Sequence, residues 1–343
     1  MPGILYALGS AILFGASAPI AKMLLGGISP WLLAGLLYLG SGLGLAALRL
    51  IRSSKEAPLV RTDWPWLAAA IFAGGVCGPV LLMFGLWATA GSTAALLLNL
   101  ESVLTLAIAW IVFREYVDLR LGIGALAIVL GAVALSLQGS GAEASSTIWG
   151  PLLIAGACLA WAVDNNLTRK ISAADPIQSA MLKGLVAGAV NVALALGAGN
   201  ALPTVPTLIA AGAVGFLGYG VSLVLFILAL RHLGTARTGA YYALAPFIGA
   251  ALAIPLLDEP VTLPFLLGGA AMAVGLWLHL TERHQHSHVH EPMEHDHLHV
   301  HDAHHQHAHD GKPVSEPHAH PHRHGRLVHK HVHYPDLHHR HSH

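Results

Sequence analysis

The sequence predicts an all-α membrane protein with ten transmembrane helices in two inverted five-helix repeats, followed by a disordered histidine-rich tail. The first observation is composition, because 55% of the 343 residues are hydrophobic and only 10% are charged, unlike a typical soluble domain. The second is a helix-opening pattern that occurs twice with different charges. The third is the position of the histidines, since all but two of the 25 follow Arg283.

Ten apolar stretches precede Thr281, each near the roughly 20 residues that cross a bilayer. The first has no basic leader and no convincing cleavage site, so we interpret it as a retained helix and not as a signal peptide. Cys77 and Cys158 lie inside predicted helices, where packing is favoured over a disulfide. The predicted spans are residues 4–25, 30–50, 64–87, 92–113, 119–138, 149–169, 177–198, 206–230, 236–257 and 261–280.

The connections that contain lysine or arginine all lie on one side of the predicted bundle. These residues occupy the connections after the second, fourth, sixth and eighth spans, and they follow the tenth. Positive residues are retained on the cytoplasmic side of a membrane, so both termini are predicted to be cytoplasmic in a multi-pass protein of the cell (inner) membrane. The connections without Lys or Arg lie near residues 26–30, 88–91, 139–148, 199–205 and 258–262.

The two halves of the chain carry matching patterns. The segment Phe-Arg-Glu-Tyr-Val at 113–117 and the segment Leu-Asp-Glu-Pro-Val at 257–261 each open an apolar run with two glycines in register. The second copy has lost the arginines of the first, as expected when an odd number of helices per repeat inverts the copies. The predicted units are residues 1–138 for the first repeat, 139–148 for a linker, 149–280 for the second repeat and 281–343 for the tail.

Residues 91–101, Gly-Ser-Thr-Ala-Ala-Leu-Leu-Leu-Asn-Leu-Glu, resemble the EamA type of the drug/metabolite transporter superfamily, as do residues 234–236 and 245–247 in the second half. The resemblance covers about residues 3–280, as two EamA-like repeats. It implies a central cavity between the repeats and secondary transport, in the direction of export, of a small metabolite or similar solute by alternating access. Ser102 departs from the pattern, since many relatives have proline there.

Polar residues inside the spans are the candidate substrate or coupling residues. Glu101 lies near the centre of the fourth span, where an ionisable group is costly and normally faces the protein interior or a water cavity. We predict that it binds solute or carries a proton; a purely structural carboxylate is the alternative. For Asp164 and Lys183, an ion pair that joins two helices and a gate are equally favoured. The full set is Glu101, Asn99, Asp164, Asn165, Lys183, Tyr241 and Tyr242.

Glycine and proline in the third and eighth spans indicate either close helix packing or mobile segments that line a cavity. Further prolines remove backbone donors and favour kinks. Glu115 and Glu259 lie at predicted helix ends and are interpreted as caps of the following helix or as partners of a nearby arginine. The hinge candidates are Gly78, Pro79, Gly218, Gly220, Pro19 and Pro246.

The tail alternates histidine with other residues and interspersed acids. Neutral imidazoles in this pattern bind Zn²⁺, Ni²⁺, Co²⁺ or Cu²⁺, and a pH-dependent surface element is the alternative. The tail has too few large apolar residues to fold alone, so it is predicted to be disordered without metal. The candidate ligands are His284, His286, His288, His290, His295, His297, His299, His301, His304, His305, His307, His309, His318, His320, His322 and His324.

Small-solute export is favoured over two rival functions. One rival is an efflux carrier for divalent Ni, Co or Zn, and the other is a membrane-anchored metal buffer or sensor. Metal transport is disfavoured because the membrane region contains just His232 and His279. No nucleophile–base pair is visible, so we predict no enzymatic activity and no required cofactor. The predicted partners are the lipid bilayer, a small-molecule solute, a coupling proton or ion, divalent metal at the tail and no nucleic acid; the oligomeric state stays open, a homodimer included.

Overall fold

The computed structural model describes residues 2–51, 59–113, 119–137, 148–168, 171, 175–233 and 235–281, together with four strands between residues 285 and 332. The apolar sequence forms helices because hydrocarbon offers no partner for a backbone N–H or C=O, and a helix pairs these groups internally. The helices are α1 (Pro2–Leu24), α2 (Pro30–Ile51), α3 (Trp64–Ala70), α4 (Gly78–Ala88), α5 (Gly91–Leu97), α6 (Leu100–Phe113), α7 (Leu119–Ser136), α8 (Trp149–Thr168), α9 (Pro176–Gly197), α10 (Val205–Gly215), α11 (Ser222–Leu233), α12 (Thr235–Tyr242), α13 (Ala245–Leu257) and α14 (Leu263–Leu280).

Eight helical spans are long and apolar enough to cross a membrane by length and composition. They coincide with the first five, the seventh, the eighth and the tenth of the predicted spans. The predicted sixth span is α8, which ends in the polar residues Asp164, Asn165 and Asn166. The predicted ninth span is divided between α12 and the shorter apolar helix α13. The described residues before Thr281 therefore form an all-α membrane domain of eight to ten apolar helices.

The third and eighth spans each contain a π-helical segment, Ile71–Cys77 and Phe216–Val221. The sequence singled out these glycine-rich segments as hinges or packing sites, and in the structure they widen their helices without breaking them. A widened turn leaves some backbone carbonyls free to accept hydrogen bonds from side chains. Gly74 O accepts hydrogen bonds from the Tyr38 hydroxyl and the Trp161 indole, both at 2.9 Å, so the first π segment is bonded to α2 and α8.

The fourth and ninth spans are the interrupted ones. The first interruption separates α5 from α6 at residues 98–99, and the second separates α12 from α13 at residues 243–244. Polar side chains form hydrogen bonds with backbone carbonyls at the first interruption. Asn99 Nδ2 donates to Leu96 O at 2.9 Å, and Ser102 Oγ donates to Asn99 O at 2.8 Å. The second is followed at once by Pro246 in the first turn of α13, a position where a missing N–H costs nothing.

Helices of the first half pack mainly on helices of the second. The helix α2 packs along α9, and α7 packs along α14. The contact of α4 with α8 has a counterpart in the contact of α11 with α1, and the contact of α6 with α8 has one in that of α13 with α1. In these last two cases one contact is matched by another in which first-half and second-half helices exchange roles.

The glycines of the repeated pattern lie at the contact between α7 and α14. A Cβ on Gly131 would lie 2.7 Å from Gly268 O, and a Cβ on Gly124 would lie 2.8 Å from Gly275 O. The two helices approach this closely because no side chain separates their backbones. The glycines that revealed the repeat therefore join the last helix of one half to the last helix of the other.

The two cysteines are free thiols, as the sequence favoured. Cys158 in α8 is buried, and its Sγ donates to Leu97 O at 3.7 Å beside the interruption of the fourth span. The thiol therefore acts as a small packing group that also bonds a carbonyl at the helix end.

The described part of the tail forms strands, whereas the sequence predicted disorder. They are β1 (Gln285–His290), β2 (Met293–His299), β3 (His318–His324) and β4 (Leu327–Val332). Antiparallel pairing joins β1 to β4 and β2 to β3 in separate two-stranded sheets. The alternation of histidine with other residues has the period of a β-strand, and the disorder predicted for the tail without metal stays a prediction.

Several predictions concern residues outside the described part of the chain. They include the repeated pattern at Arg114 and Glu115 and the linker at residues 139–147. The metal-ligand candidates His284, His301, His304, His305, His307 and His309 also lie there. Their roles stay predictions.

Candidate functional site

A carboxylate and an amide meet between α6 and α8. Asn165 Nδ2 donates to Glu101 Oε1 at 2.8 Å, so a candidate residue of the fourth span and one of the sixth are brought together. Glu101 is half-buried and Asn165 is exposed, which means that the pair borders accessible space and is not sealed in the core. A polar group inside a membrane domain that faces such a space is positioned to bind a solute or a proton.

An ion pair lies beside this carboxylate. Lys183 Nζ of α9 bonds both carboxylate oxygens of Asp164 in α8, at 2.6 and 2.7 Å. The pairing that the sequence suggested is therefore present, and it is mostly shielded, since the Lys183 and Asp164 side chains are 21% and 8% exposed. Thr168 Oγ1 adds a hydrogen bond to Asp164 at 2.9 Å. The Lys183–Asp164 pair joins α9 to α8, while the Thr168 bond lies within α8. The charges of Asp164 and Lys183 both act on Glu101.

The backbone of the first π segment packs directly on this ion pair. A Cβ on Gly74 would clash with the Asp164 carboxylate. We therefore expect Gly74→Ala to lower the free energy of unfolding by about 1–3 kcal/mol, the usual cost of overpacking a close-packed interior. Thermal unfolding in detergent measures this cost. Gly212→Ala is the matched control, because a Cβ there meets nothing within 4 Å; equal melting temperatures for the two variants would contradict the close approach.

Aromatic rings line the space next to the polar cluster. The ring of Phe14 in α1 lies 5.8 Å from that of Tyr219 and 5.6 Å from that of Tyr242, centroid to centroid. Tyr38 extends the cluster to α2, with its ring 5.7 Å from that of Tyr219. Tyr242, a predicted candidate, also packs 4.8 Å from Phe226 and interacts electrostatically with Glu101.

A small cavity opens between the interrupted helices, α1 and the second π segment. It is narrow, with a volume of about 10 Å³, close to the room that one water molecule needs. Leu98, at the first interruption, lines this cavity. Glu101 follows Leu98 by three residues, so its carboxylate lies about one helical turn from Leu98. The lining residues are Phe14, Gly15, Ser17, Ala18, Leu82, Ala95, Leu98, Tyr219, Ala245 and Pro246.

The other candidates occupy different surroundings. The Asn99 amide is buried and turns back to Leu96 O, so it does not join Glu101 through any hydrogen bond of the described residues. Tyr241 has no ring contact like those of Tyr242 among the described residues. For both, the predicted substrate role is untested.

The hinge candidates fall at helix irregularities. Pro19 lies inside α1, and Gly78 with Pro79 opens α4 directly after the first π segment. Gly218 and Gly220 are buried within the second π segment, and a Cβ on Gly218 would lie 2.6 Å from Ser17 Cβ. Close packing, one of the two interpretations of these residues, is therefore present at Gly218, and a hinge role stays a prediction.

Glu259 caps a helix of the other half of the chain. Its carboxylate accepts hydrogen bonds from the backbone N–H groups of Gly91 and Ser92, at 2.5 and 2.8 Å, at the start of α5. The sequence-based interpretation as a cap is confirmed, but the expected helix was wrong, because α14 is capped by Thr262 instead. The left-handed conformation of Asp258, with φ of 52°, ends α13 just before Glu259.

Lys22 binds the end of α4, on the other side of the short connection between α4 and α5. Its Nζ donates to Leu86 O at 2.5 Å and to Thr89 O at 2.6 Å, where α4 ends. A cation at a helix C-terminus and an anion at the next N-terminus both oppose the helix dipoles. The sequence predicted no role for Lys22, and its position about one turn before the end of the first predicted span was the available signal.

Removing this cap should be measurable. We expect Glu259→Ala to lower the free energy of unfolding by about 0.5–2 kcal/mol, because two N–H groups of α5 lose their acceptor. Glu259→Gln keeps one side-chain oxygen and should lose less. Chemical denaturation in mixed micelles compares the two, and an equal loss from both variants would show that charge alone, and not capping, stabilises this connection.

A second ion pair joins the halves. Arg49 Nη1 at the end of α2 lies 2.6 Å from Asp175 Oδ2, and the Asp175 side chain is fully buried. Its other oxygen accepts from Ile177 N and Gln178 N and so caps α9. Asp175 before Pro176 is a helix-start signal that the sequence offered, but nothing in the sequence indicated Arg49 as its partner.

The described residues contain no group of three His, Cys, Asp or Glu side chains that could hold a metal ion. The candidate ligands of the tail that lie in strands are arranged in register: His295 is paired with His322, His297 with His320 and His299 with His318.

The chain matches known transporters over most of its length. The model of the EamA-like transporter family matches residues 1–137 and again residues 148–281. An uncharacterized transporter of Methanothermobacter thermautotrophicus is 28% identical over 293 residues, which is 80% of this chain and 85% of that protein. The uncharacterized inner membrane transporter YedA of Escherichia coli K12 is 24% identical over 270 residues, or 76% and 84% of the two chains.

One solved crystal structure has the same fold, with a TM-score of 0.59 and 20% identity, over 80% of this chain and 97% of that chain. The family model covers both halves and leaves out only the linker and the tail. Since the matched residues contain every membrane helix and the polar cluster, the chain is a multi-pass membrane transporter of the EamA-like transporter family, within the drug/metabolite transporter superfamily.

Proposed function

We propose that the protein is a ten-span secondary carrier that exports a small solute by alternating access between two inverted five-helix halves. The exchange of roles in the helix contacts supports a two-fold relation between the halves, and five spans in each half would make that relation an inversion. The distribution of Lys and Arg supports cytoplasmic termini. The solute site lies between the halves.

The polar cluster carries this proposal. Glu101 and Asn165 bond across α6 and α8, and the Asp164–Lys183 pair lies beside them. Interrupted helices and midplane polar groups are the usual elements of a solute site in inverted-repeat transporters. Both interruptions, at residues 98–99 and 243–244, lie next to the cavity. Glu101 is also the group suited to take up a coupling proton, because it is the half-buried carboxylate at this place.

Flux through reconstituted protein tests the carrier function. The full chain and a chain ending at Arg283 are incorporated into liposomes loaded with a metabolite mixture, and the outside solution is analysed by mass spectrometry. Efflux of the same solutes from both preparations, above protein-free liposomes, is the expected result. Movement of Ni²⁺, Co²⁺ or Zn²⁺ alone would instead favour metal efflux. No flux of any solute would leave the bundle as an anchor for the tail.

We infer that the tail binds divalent metal independently of the transported solute. The alternation of histidine with interspersed acidic residues in the tail supports this, because neutral imidazoles are ligands of borderline divalent ions. We expect the full chain to bind several Zn²⁺ or Ni²⁺ ions and the chain ending at Arg283 to bind none at micromolar concentration. Equilibrium dialysis with metal analysis measures the stoichiometry, and equal binding by both chains would reject the tail as the site.

A further inference from the structure

Two charged side chains reach the connection between α4 and α5 from different helices. Lys22 of α1 donates to Leu86 O and Thr89 O, and Glu259, which follows α13, accepts from the first two backbone N–H groups of α5. The charge of Glu259 also acts on Lys22. We call this arrangement the clamp: the side chains of Lys22 and Glu259 with the connection at residues 88–91. The distribution of Lys and Arg favours the outer side of the membrane for it.

The clamp joins two groups of helices. One group is α1 with α11, α12 and α13, which all pack on it, and the other is α8 with α4 and α6. Lys22 and Glu259 belong to the first group, whereas the connection that they bind begins at the end of α4, in the second. Close packing accompanies these bonds, because α5 contacts both α13 and α1. A Cβ on Gly91 would lie 2.5 Å from Leu257 Cδ1. The two groups are therefore held together at the clamp.

The clamp lies at one end of the cavity. Lys22 follows the lining residue Ala18 by one turn of α1, and Ser92 precedes the lining residue Ala95 by about one turn of α5. Glu101 comes later in the same span, after the first interruption. Along the fourth span the clamp, the cavity and the polar cluster thus follow one another. The cavity volume of about 10 Å³ admits roughly one water molecule, so a metabolite cannot pass while the clamp is closed.

We propose that the clamp is the outer gate of the solute path: Lys22 and Glu259 hold this end closed, and the α4–α5 connection must leave both side chains before solute passes. This rests on the proposed transport function and adds the residues that close one end of the path. The bonded carbonyls end α4 and the bonded N–H groups begin α5, so neither set is needed within a helix. Water can replace the clamp at these groups, and the gate opens without unfolding any helix.

Thiol labelling from outside tests the gate without any transported solute. In the full chain with Cys77→Ala and Cys158→Ala, Ser17→Cys puts a thiol at the cavity. Right-side-out membrane vesicles are treated with a charged, membrane-impermeant methanethiosulfonate. Labelling should be slow while the clamp is intact. It should become at least roughly tenfold faster in Lys22→Met and in Glu259→Ala, the effect of losing one hydrogen bond to a charged group from a two-state equilibrium.

Thr262→Ala is the matched control for a merely structural role. It removes the cap of α14 in the same connection as Glu259 and leaves the bonds of Lys22 and Glu259 in place. Labelling in this variant should stay slow. Equal rates in the clamp variants and the intact protein would overturn the proposal. Fast labelling of the intact protein, or an equal rise in Thr262→Ala, would overturn it as well.

A reversible cross-link tests the gate without removing the clamp. A Cβ on Gly91 would lie 3.5 Å from Ala253 Cβ, a separation that a disulfide spans. In the same cysteine-free chain, oxidation of Gly91→Cys/Ala253→Cys should join α5 to α13. Solute efflux from liposomes should then fall to the level without protein and should return on reduction. Oxidised Gly91→Cys alone should keep its flux.

Continued flux through protein whose cross-link is verified by mass spectrometry would overturn the proposal, because the outer ends would not need to separate. Failure of the cross-link to form would contradict the contact between α5 and α13 on which the gate depends. No flux even in the reduced protein would instead contradict the carrier function. In that case the labelling rates of Ser17→Cys still decide whether Lys22 and Glu259 close the cavity.

Discussion

Replacing Glu101 with glutamine is expected to reduce solute flux by roughly tenfold or more while the protein still folds. The side chain keeps its size and can still bond Asn165, so the packing between α6 and α8 is retained. What is lost is the charge, and with it either the charge-assisted bond to the solute or the site for a coupling proton. A hydrogen bond to a charged group contributes about 1.5–3 kcal/mol, which corresponds to roughly a tenfold effect or more.

Initial rates of efflux from liposomes measure this change, with equal amounts of correctly oriented protein. Asp63→Asn is the control, because this carboxylate bonds Val60 N in an exposed connection and lies outside the polar cluster. Asp63→Asn should transport normally. Undiminished flux through Glu101→Gln would mean that the carboxylate is structural, the alternative that its position in the sequence left open.

Replacing Lys183 with methionine is expected to lower the free energy of unfolding by about 3 kcal/mol, the lower end of the range for breaking a buried ion pair. Asp164 would be left without its ammonium partner, and its side chain is only 8% exposed. Thr168 and the adjoining Gly74 backbone cannot neutralise the charge. The lower end applies because Lys183 is 21% exposed, so water screens part of the interaction.

The double variant Asp164→Asn/Lys183→Met should recover most of that stability, since neither charge remains. Unfolding in mixed micelles is followed by near-ultraviolet circular dichroism. It gives the free energies of unfolding of the wild type, of the two single variants and of the double variant, which complete the cycle. Equal destabilisation in the single and double variants would indicate that Lys183 acts through its aliphatic stem and not through the ion pair.

The helix positions could be read from the sequence because hydrophobic length is a local property. The spans at 30–50 and 177–198, for example, lie within one residue of α2 and α9. The repeat was also visible locally, since Gly124, Gly131, Gly268 and Gly275 keep the spacing of one helix face. The contact between these glycines could not be read from the sequence, because nothing in the pattern indicates that α7 and α14 are neighbours.

The cap at Glu259 illustrates the same limit. A carboxylate at a helix end predicts a cap, and the nearest N-terminus along the chain was that of α14. The structure puts Gly91 closer in space, after the left-handed turn at Asp258. Sequence proximity and spatial proximity coincide within a helix and diverge at its ends.

The predicted discontinuities were partly misplaced for a different reason. Glycine-rich segments at 71–77 and 216–221 allow either a break or a widened helix, and the choice depends on which side chains reach the freed carbonyls. Tyr38 and Trp161 reach Gly74 O from two other helices, which keeps the span continuous. The true interruption at residues 98–99 depends on the short bonds of Asn99 and Ser102, a signal too weak to stand out in an apolar run.

By itself the sequence determined the class of the protein, the location of its membrane helices and its division into two related halves, and it marked Glu101 as a candidate, because length, hydropathy and an intramembrane charge constrain a chain locally. Only the tertiary structure decided what meets Glu101. The amide of Asn165, the closed pair of Asp164 and Lys183 and the aromatic wall of Phe14, Tyr219 and Tyr242 come from separate helices. Their convergence depends on how those helices pack, and packing is a property of the whole chain.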